Sequence, residues 1–451
     1  MSRVTLTTTQ TDRGLLTKPI FSSITLFAIP MLLGNALQQL YNVADTWIVG
    51  KYIGTGALAA VGAVFALMVF LTSVLLGLCM GSGVVFAQSV GEGREEQLTR
   101  RVGTAFAGIA LISVLITAVS YRGSAAIIRW MNIPAELTKM TESYLKIVLT
   151  GIPAVFLFNF FAGYRKALGD SLQPLLVLVL STASNIALDF FFVLKLDLGI
   201  EGAAWATVLS QYLSGVLCAA LCLCRDAAVR RAFRKLDIRK EDLKILGRYS
   251  FYTCLQQSVM NLGILMVQGI VNSFGTVIMA AFSAGVKIDA FAYMPAQEYG
   301  NAFSTFIAQN YGAKKMDRVR KGIRCGLLTT VSYCLAASLI LFLLAKPLIG
   351  IFVQASETEV IAAGVQYLHI EGLFYVGIGI LFLWYGLYRA VGHPEMSLIL
   401  TIISLGTRVL LARISASTPL GVTGIWWSIP IGWMLADLAG AWYLRKHPVY
   451  K

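Results

Sequence analysis

Residues 52–91 read YIGTGALAAVGAVFALMVFLTSVLLGLCMGSGVVFAQSVG, forty consecutive positions without a charge, bounded by Lys51 and Glu92. A helix that crosses hydrocarbon needs about 20 predominantly apolar residues, so this run exceeds one crossing and has to be trimmed or shared. The pattern recurs outward along the chain. There are 26 uncharged positions between Lys18 and Asp45, 20 from Val102 to Tyr121 and 23 from Gly202 to Cys224. Tyr249 to Val286 gives 38 and Gly326 to Ala345 gives 20. Across 451 residues the chain is 57% hydrophobic and 13% charged, about half the charged share of an ordinary soluble protein. So few charges cannot build the surfaces of two or three soluble domains, and they exclude disordered and collagen-like chains as well.

With Gly, Pro and charge clusters taken as breaks, the chain divides into twelve spans, an all-α integral membrane fold. Their expected ranges are 19–48, 57–86, 102–121, 145–164, 173–195 and 202–224, then 249–272, 277–307, 325–345, 363–388, 396–415 and 422–443. Met1 to Lys18 is polar, without the apolar core of a cleavable signal. If both termini are cytoplasmic, the inner segments hold 27 of the 37 Lys and Arg residues, which is the positive-inside bias. The net charge of +14 is then mainly a topology signal. A nucleic-acid partner is not expected, because Asp226, Asp237, Glu241 and Asp242 interrupt the basic stretch 225–248.

The chain holds two copies of one pattern. At an offset of 221 residues Ala87-Gln88 matches Ala308-Gln309, Gly91 matches Gly312, Gly54 matches Gly275, and Ala59-Ala60 matches Ala280-Ala281. Lys166-Ala-Leu-Gly169 matches Arg389-Ala-Val-Gly392, and Gly199-x-x-Gly202 matches Gly421-x-x-Gly424. Six spans per copy is an even number, so both copies enter the membrane in the same sense. The expected organisation is a cytoplasmic segment 1–18, a first six-helix lobe 19–224, a cytoplasmic linker 225–248, a second lobe 249–444 and a cytoplasmic tail 445–451. Two pseudo-symmetric bundles that open alternately are the plan of a secondary transporter.

Ionisable side chains inside spans cost roughly 2.5–3.5 kcal/mol each on insertion scales and are functional candidates by default. In the first copy these are Asp45 and Asp189. At the repeat offset Asp45 pairs with Met266, Asp189 with Ala412 and Asn185 with Arg408, so the carboxylates are expected in one lobe only. Tyr41 and Asn42 share the face of Asp45, and Asn185 lies one turn before Asp189. Pro30 offers a kink about four turns before Asp45. A carboxylate in a low-dielectric lobe suits a proton carrier; the plainer alternative is that both aspartates only hydrogen-bond to neighbouring spans.

Several stretches taken together resemble the multidrug and toxic compound extrusion (MATE) family. They are Pro30-x14-Asp45, Gly81-x-Gly83 through Ala87-Gln88 to Gly91, Ala167-Leu-Gly169-Asp170, Asn185-Ile-Ala-Leu-Asp189, Gly202-Ala-Ala-Trp205-Ala-Thr207 and Ala308-Gln309-Asn310-x-Gly312. The likeness covers essentially the whole chain and is nearest to the bacterial DinF-like branch. It implies a V-shaped pair of six-helix lobes in the bacterial plasma membrane. It also implies a probable monomer that exports cationic or amphipathic organic compounds in exchange for protons, with sodium as the alternative ion. Carried over by position, the resemblance makes Asp45 and Asp189 the coupling residues, Tyr41, Tyr144, Asn185 and Thr207 their polar neighbours, and Pro30 the bend.

The sodium-coupled branch is expected to carry acids on the seventh and tenth spans. Here the seventh offers Gln256, Gln257 and Asn261, and the tenth only Glu371. The eighth span adds Lys287, Asp289 and Glu298, and the eleventh Arg408. Gln257, Asn261, Lys287, Glu298 and Arg408 are candidates for a second-lobe cleft, where Lys287 and Arg408 either orient anionic groups of the substrate or form salt bridges between the lobes. Seven cysteines mostly within spans imply free thiols, and no metal or organic cofactor is expected: neither a ligand cluster nor a G-x4-G-K-[ST] phosphate loop is present. A flippase for lipid-linked precursors is the alternative function, disfavoured because only Lys287 and Arg408 are basic within spans.

Overall fold

The computed structural model describes residues 14–131 and 133–448; the start of the expected segment 1–18 and the last three residues of the tail lie outside the described residues. In hydrocarbon every backbone N–H and C=O has to be satisfied within the chain, and the described residues do this with helices alone. They are α1 (Gly14–Thr17), α2 (Ile20–Ile48), α3 (Thr55–Glu92), α4 (Glu95–Arg122), α5 (Ser124–Trp130), α6 (Ala135–Leu149), α7 (Ile152–Ala167), α8 (Leu172–Asp189) and α9 (Gly199–Arg225). There follow α10 (Ala227–Arg234), α11 (Lys240–Asn272), α12 (Thr276–Gly312), α13 (Met316–Gly350), α14 (Thr358–Leu373), α15 (Tyr375–Ala390), α16 (Pro394–Ala416) and α17 (Gly421–Lys446). Two π-helical stretches, Val49–Ile53 and Phe190–Lys195, prolong α2 and α8.

Ten helical spans are long and apolar enough to cross a bilayer, and α14 with α15, bent by 52°, makes an eleventh. The twelfth expected span is α17, 26 residues long, whose Trp426, Trp427, Trp433, Trp442 and Asp437 lower its mean hydropathy. The fourth span begins well before the expected residue 145, because helix continues from Ala135 to Ala167. Glu136, Lys139, Glu142 and Lys146 hid its first turns from a search for uncharged runs. Two of these charges satisfy each other one turn apart, Lys146 to Glu142 at 2.7 Å.

The repeat is written into the turns. Gly54 (φ 116°) starts α3 as Gly275 (φ 89°) starts α12. Gly169 (φ 90°) corresponds to Gly392 (φ 101°), and Gly199 (φ 56°) to Gly421 (φ 50°). Gly93 (φ 70°) corresponds to Lys314 (φ 56°), where the second copy makes the left-handed turn without glycine. A left-handed backbone excludes most side chains, which explains why these glycines recur at offsets of 221–223.

The chain forms two compact units, Ile29–Cys254 and Leu15–Ala28 together with Leu255 onward. Both crossings occur inside helices: α2 passes from the second unit to the first just before Pro30, and α11 passes from the first to the second after Cys254. Residues 19–28, expected in the first lobe, therefore belong to the second unit, and the expected linker 225–248 folds as part of the first.

In the first unit α3 carries Gly77 and Gly81 against α11. A Cβ on Gly81 would lie 2.5 Å from the Tyr249 carbonyl oxygen and 2.6 Å from Ser250 Cα. The contact is continued by Ser82 Oγ to Ser250 Oγ at 3.0 Å and by Gln88 Nε2 donating to Tyr249 Oη at 2.9 Å. Arg100 and Arg101 close it, their Nε atoms donating to the buried Asp242 at 3.1 and 3.2 Å. In the second unit the start of the chain is held the same way. Asn310 Nδ2 donates to the Leu15 carbonyl at 3.1 Å, and Arg318 Nη2 donates to the Leu15 and Lys18 carbonyls at 3.1 and 2.9 Å.

The close approach at Gly81 makes a sharp prediction. Gly81→Val has backbone, not a movable side chain, in its way, so it lowers stability by about 1–3 kcal/mol or more. Gly62→Ala meets nothing within 4 Å and removes a helix-interior glycine, so it is neutral or stabilising by up to about 1 kcal/mol. Thermal unfolding of the two variants in detergent, followed by the loss of monodisperse protein, checks the pair.

Candidate functional site

Asp45 lies in the last turn of α2, and Asp189 is the last residue of α8, so each sits at a junction between α- and π-helix. The two π-helical stretches touch each other, and both touch α9, which brings Thr207 to the same place. Such wide turns leave the backbone ladder imperfect and are concentrated at functional sites. Asp45, Tyr144, Asn185, Asp189 and Thr207 are all buried, and Tyr41 and Asn42 are half-buried. Tyr41 and Tyr144 are each within electrostatic reach of both carboxylates, and Asp189 is within reach of Asp45. The first-copy residues singled out by sequence are thus brought together in one unit, except that Asn42 contributes its backbone carbonyl, to Thr46 Oγ1 at 2.7 Å.

Asp45 Oδ1, both carboxylate oxygens of Asp189 and both amide atoms of Asn185 are buried with no hydrogen-bond partner among the described residues. Native interiors leave few such atoms, and each costs about 1–3 kcal/mol. Five on three neighbouring side chains form a place prepared for a proton, an ion or water. Beside it lies a cavity of about 110 Å³ lined by Gln38, Tyr41, Asn159, Asn185 and Gln211 together with small hydroxyl and apolar residues. No charged side chain lines it. Tyr41 and Asn185 belong both to the cavity and to the carboxylate group.

The second unit contains what the sequence did not reveal, and the expectation that carboxylates are confined to one lobe is corrected. Asp289 on α12 and Glu371 on α14 are both buried and hydrogen-bonded to each other. Tyr367 Oη donates to Asp289 Oδ2 and Tyr375 Oη to Asp289 Oδ1. Gly285, one turn before Asp289, makes this possible: a Cβ there would lie 2.6 Å from Tyr367 Cε1, so the ring lies against bare backbone and its hydroxyl reaches the acid. The positions are not repeat equivalents of Asp45 and Asp189, which is why alignment of the halves missed them. Tyr367 and Glu371, one helical turn apart, were the available signal; that α12 packs on α14 was not. A further carboxylate, Asp437 on α17, has a buried oxygen without a partner.

The other second-copy candidates scatter. Arg408 is half-buried and within electrostatic reach of Asp289 and Glu371. Lys287 is exposed and places its ammonium 5.8 Å from the ring centre of Phe352, a contact within the second unit. Gln257, Asn261 and Glu298 are half-buried.

The MatE family model matches residues 30–191 and 250–414, one stretch in each repeat. The chain is 29% identical over 433 residues to the probable multidrug resistance protein YoeA of Bacillus subtilis, covering 93% of this chain and 92% of the relative. Among solved structures it superposes on a MATE protein in the bent conformation with a TM-score of 0.91 at 25% identity, covering 97% of both chains. A MOP superfamily transporter from Pyrococcus furiosus, described as having a binding pocket of reverse polarity, gives a TM-score of 0.89 at 25% identity over 96% of this chain and 97% of that one. With both repeats matched by its model and the whole helical plan shared, this chain belongs to the MatE family of membrane transporters.

Proposed function

We propose that this protein is a secondary-active antiporter that exports organic, mostly cationic or amphipathic compounds in exchange for protons, by alternating access. The observation that carries this reading is the shared wall. Tyr41 and Asn185 line the uncharged cavity and also adjoin two carboxylates, of which Asp45 Oδ1 and both Asp189 oxygens have no partner among the described residues. A deprotonated carboxylate only accepts hydrogen bonds, whereas a protonated one donates. Proton uptake at Asp45 or Asp189 therefore reverses the hydrogen bond that Asn185 can offer and removes the negative charge that attracts a cation in the cavity. Proton entry and cation release then exclude each other at one place. Pro30 has no N–H to give the preceding turn, so α2 can bend there and carry Gln38 and Tyr41 into the cavity. Relatives such as YoeA, a probable multidrug resistance protein by name, support drug export.

The distribution of Lys and Arg supports cytoplasmic termini, and bacterial relatives such as YoeA support the bacterial plasma membrane; in this reading the protein works as a monomer and needs no cofactor beyond the ion gradient. Sodium is a second reading, favoured by Asp289, Glu371, Tyr367 and Tyr375, an all-oxygen group of the kind hard cations take. The charge of Arg408 within reach of that group weighs against a further cation, which keeps the proton first. Lys287 beside Phe352 and Arg408 beside two acids leave no free basic pair for the pyrophosphate of a lipid-linked precursor.

The transport test uses proteoliposomes, a fluorescent organic cation and either a pH or a sodium gradient. Uptake driven by the pH gradient is abolished in Asp45→Asn and in Asp189→Asn, and sodium has no effect on it. Sodium-driven uptake that survives both substitutions and disappears in Glu371→Gln would move coupling to the second unit. Thermal unfolding supplies an independent check. Tyr367→Phe or Tyr375→Phe strips a donor from a buried acid and costs about 1–3 kcal/mol, whereas Asp189→Asn removes an unsatisfied carboxylate and leaves stability unchanged or higher.

A further inference from the structure

The connection between α9 and α11 is folded, with the helix α10 (Ala227–Arg234) at its centre. α10 buries Ala228, Val229 and Ala232 and packs on α4. The carbonyl oxygen of Ala232 and Leu236 Cδ1 lie 3.2 and 3.1 Å from where a Cβ of Gly103 would stand. Phe233 meets Phe106 edge-on at 4.7 Å between ring centres. Phe106 is five residues past Arg101, the last charged residue before the uncharged run of α4, so Phe233 meets it about 7.5 Å along the helix beyond that charge. That depth is the boundary between headgroups and acyl chains, where amphipathic helices rest.

The outward side fits that level. Phe233, Leu236, Ile238 and Leu243 are 39%, 53%, 48% and 48% exposed, a row of large apolar side chains that water would not tolerate cheaply. Basic residues alternate with them. Arg230 Nη1 donates to the Leu223 and Cys224 carbonyls at 3.0 and 2.7 Å; Arg231 pairs with Glu95 and Arg239 with Asp237. Arg225, Arg234, Lys235, Lys240 and Lys244 remain, all exposed and without an ion pair among the described residues, against one exposed acid nearby, Glu241.

We propose that residues 225–244 form an interfacial anchor for anionic phospholipid, with Phe233 and Leu236 in the acyl boundary and these five basic side chains on the headgroup phosphates. The interleaved apolar row selects a lipid over a nucleic acid, which would leave Phe233 and Leu236 in water. The charge complements the anionic leaflet, and each Lys or Arg at such a surface adds to binding within a Debye length.

Hydrogen exchange of the full-length protein in nanodiscs tests this without any substrate, so its outcome is independent of the transport reading. Discs of phosphatidylcholine alone are compared with discs that also contain phosphatidylglycerol. Amides of 227–244 exchange at least about fivefold more slowly in the anionic discs, the factor one basic contact supplies, and 0.5 M salt (about a 4 Å screening length) removes the difference. The variant Arg234→Gln/Lys235→Gln/Lys240→Gln/Lys244→Gln, whose substituted side chains hold no ion pair in the fold, exchanges equally in both discs. Peptides from α8 report that it is folded. Equal exchange of the wild type in the two lipids overturns the proposal, and so does a lipid response that the fourfold variant retains in full.

Discussion

A polar atom inside hydrocarbon has no water to turn to, and what this chain does with its few buried carboxylates sets the character of each unit. In the second unit part of that demand is met within the protein, while Glu371 Oε2 and one oxygen of Asp437 stay without a partner among the described residues. Asp289 receives a tyrosine hydroxyl on each oxygen, shares a hydrogen bond with Glu371 and has Arg408 within electrostatic reach. In the first unit Asp189 has no partner on either oxygen, and Asn185 one turn away has none on either amide atom. Asp289 is thus partnered on both oxygens, whereas Asp189 is partnered on neither among the described residues.

The scaffold that holds these groups is common to both repeats. Left-handed residues at 54 and 275, 93 and 314, 169 and 392, and 199 and 421 set equivalent turns, and the helices between them follow. Lys314 shows how far the constraint reaches: the turn is kept although the glycine is gone. What differs lies on the helix faces. Duplication fixes where helices begin and end, while the side chains that line each unit are free to diverge, so repeat alignment locates turns well and chemistry poorly.

Spans were legible because charge is costly in hydrocarbon, and for the same reason the reading failed where charge is locally compensated. The first turns of α6 were missed because Glu136, Lys139 and Glu142 carry charge, although Glu142 is compensated by Lys146 at 2.7 Å. The cluster of Tyr41, Tyr144, Asn185, Asp189 and Thr207 was legible through helical spacing and family likeness, since three of its four elements, α2, α8 and α9, carry recognisable motifs. Asp289 and Glu371 were not, because their meeting depends on Gly285 letting the ring of Tyr367 lie against α12. A glycine that admits a partner looks in sequence like any other glycine. The two crossings between units were also hidden, because each occurs within a continuous helix and leaves no break in composition.

The contrast between the units bears on which of them can act as a switch. A group with all its partners in place gains nothing from rearrangement and holds one geometry. A group short of partners has several arrangements of similar energy, and one proton decides between them, because it changes an acceptor into a donor. Asp45 and Asp189 stand at the ends of α-helices that continue as π-helix, where the backbone ladder is least able to resist a change in side-chain bonding. Pro30 lies inside α2, about four turns before Asp45, so a bend there shifts the helix face that carries Tyr41 and Asp45. The open hydrogen bonds, the irregular helix ends and the proline all fall on α2 and its neighbours in the first unit.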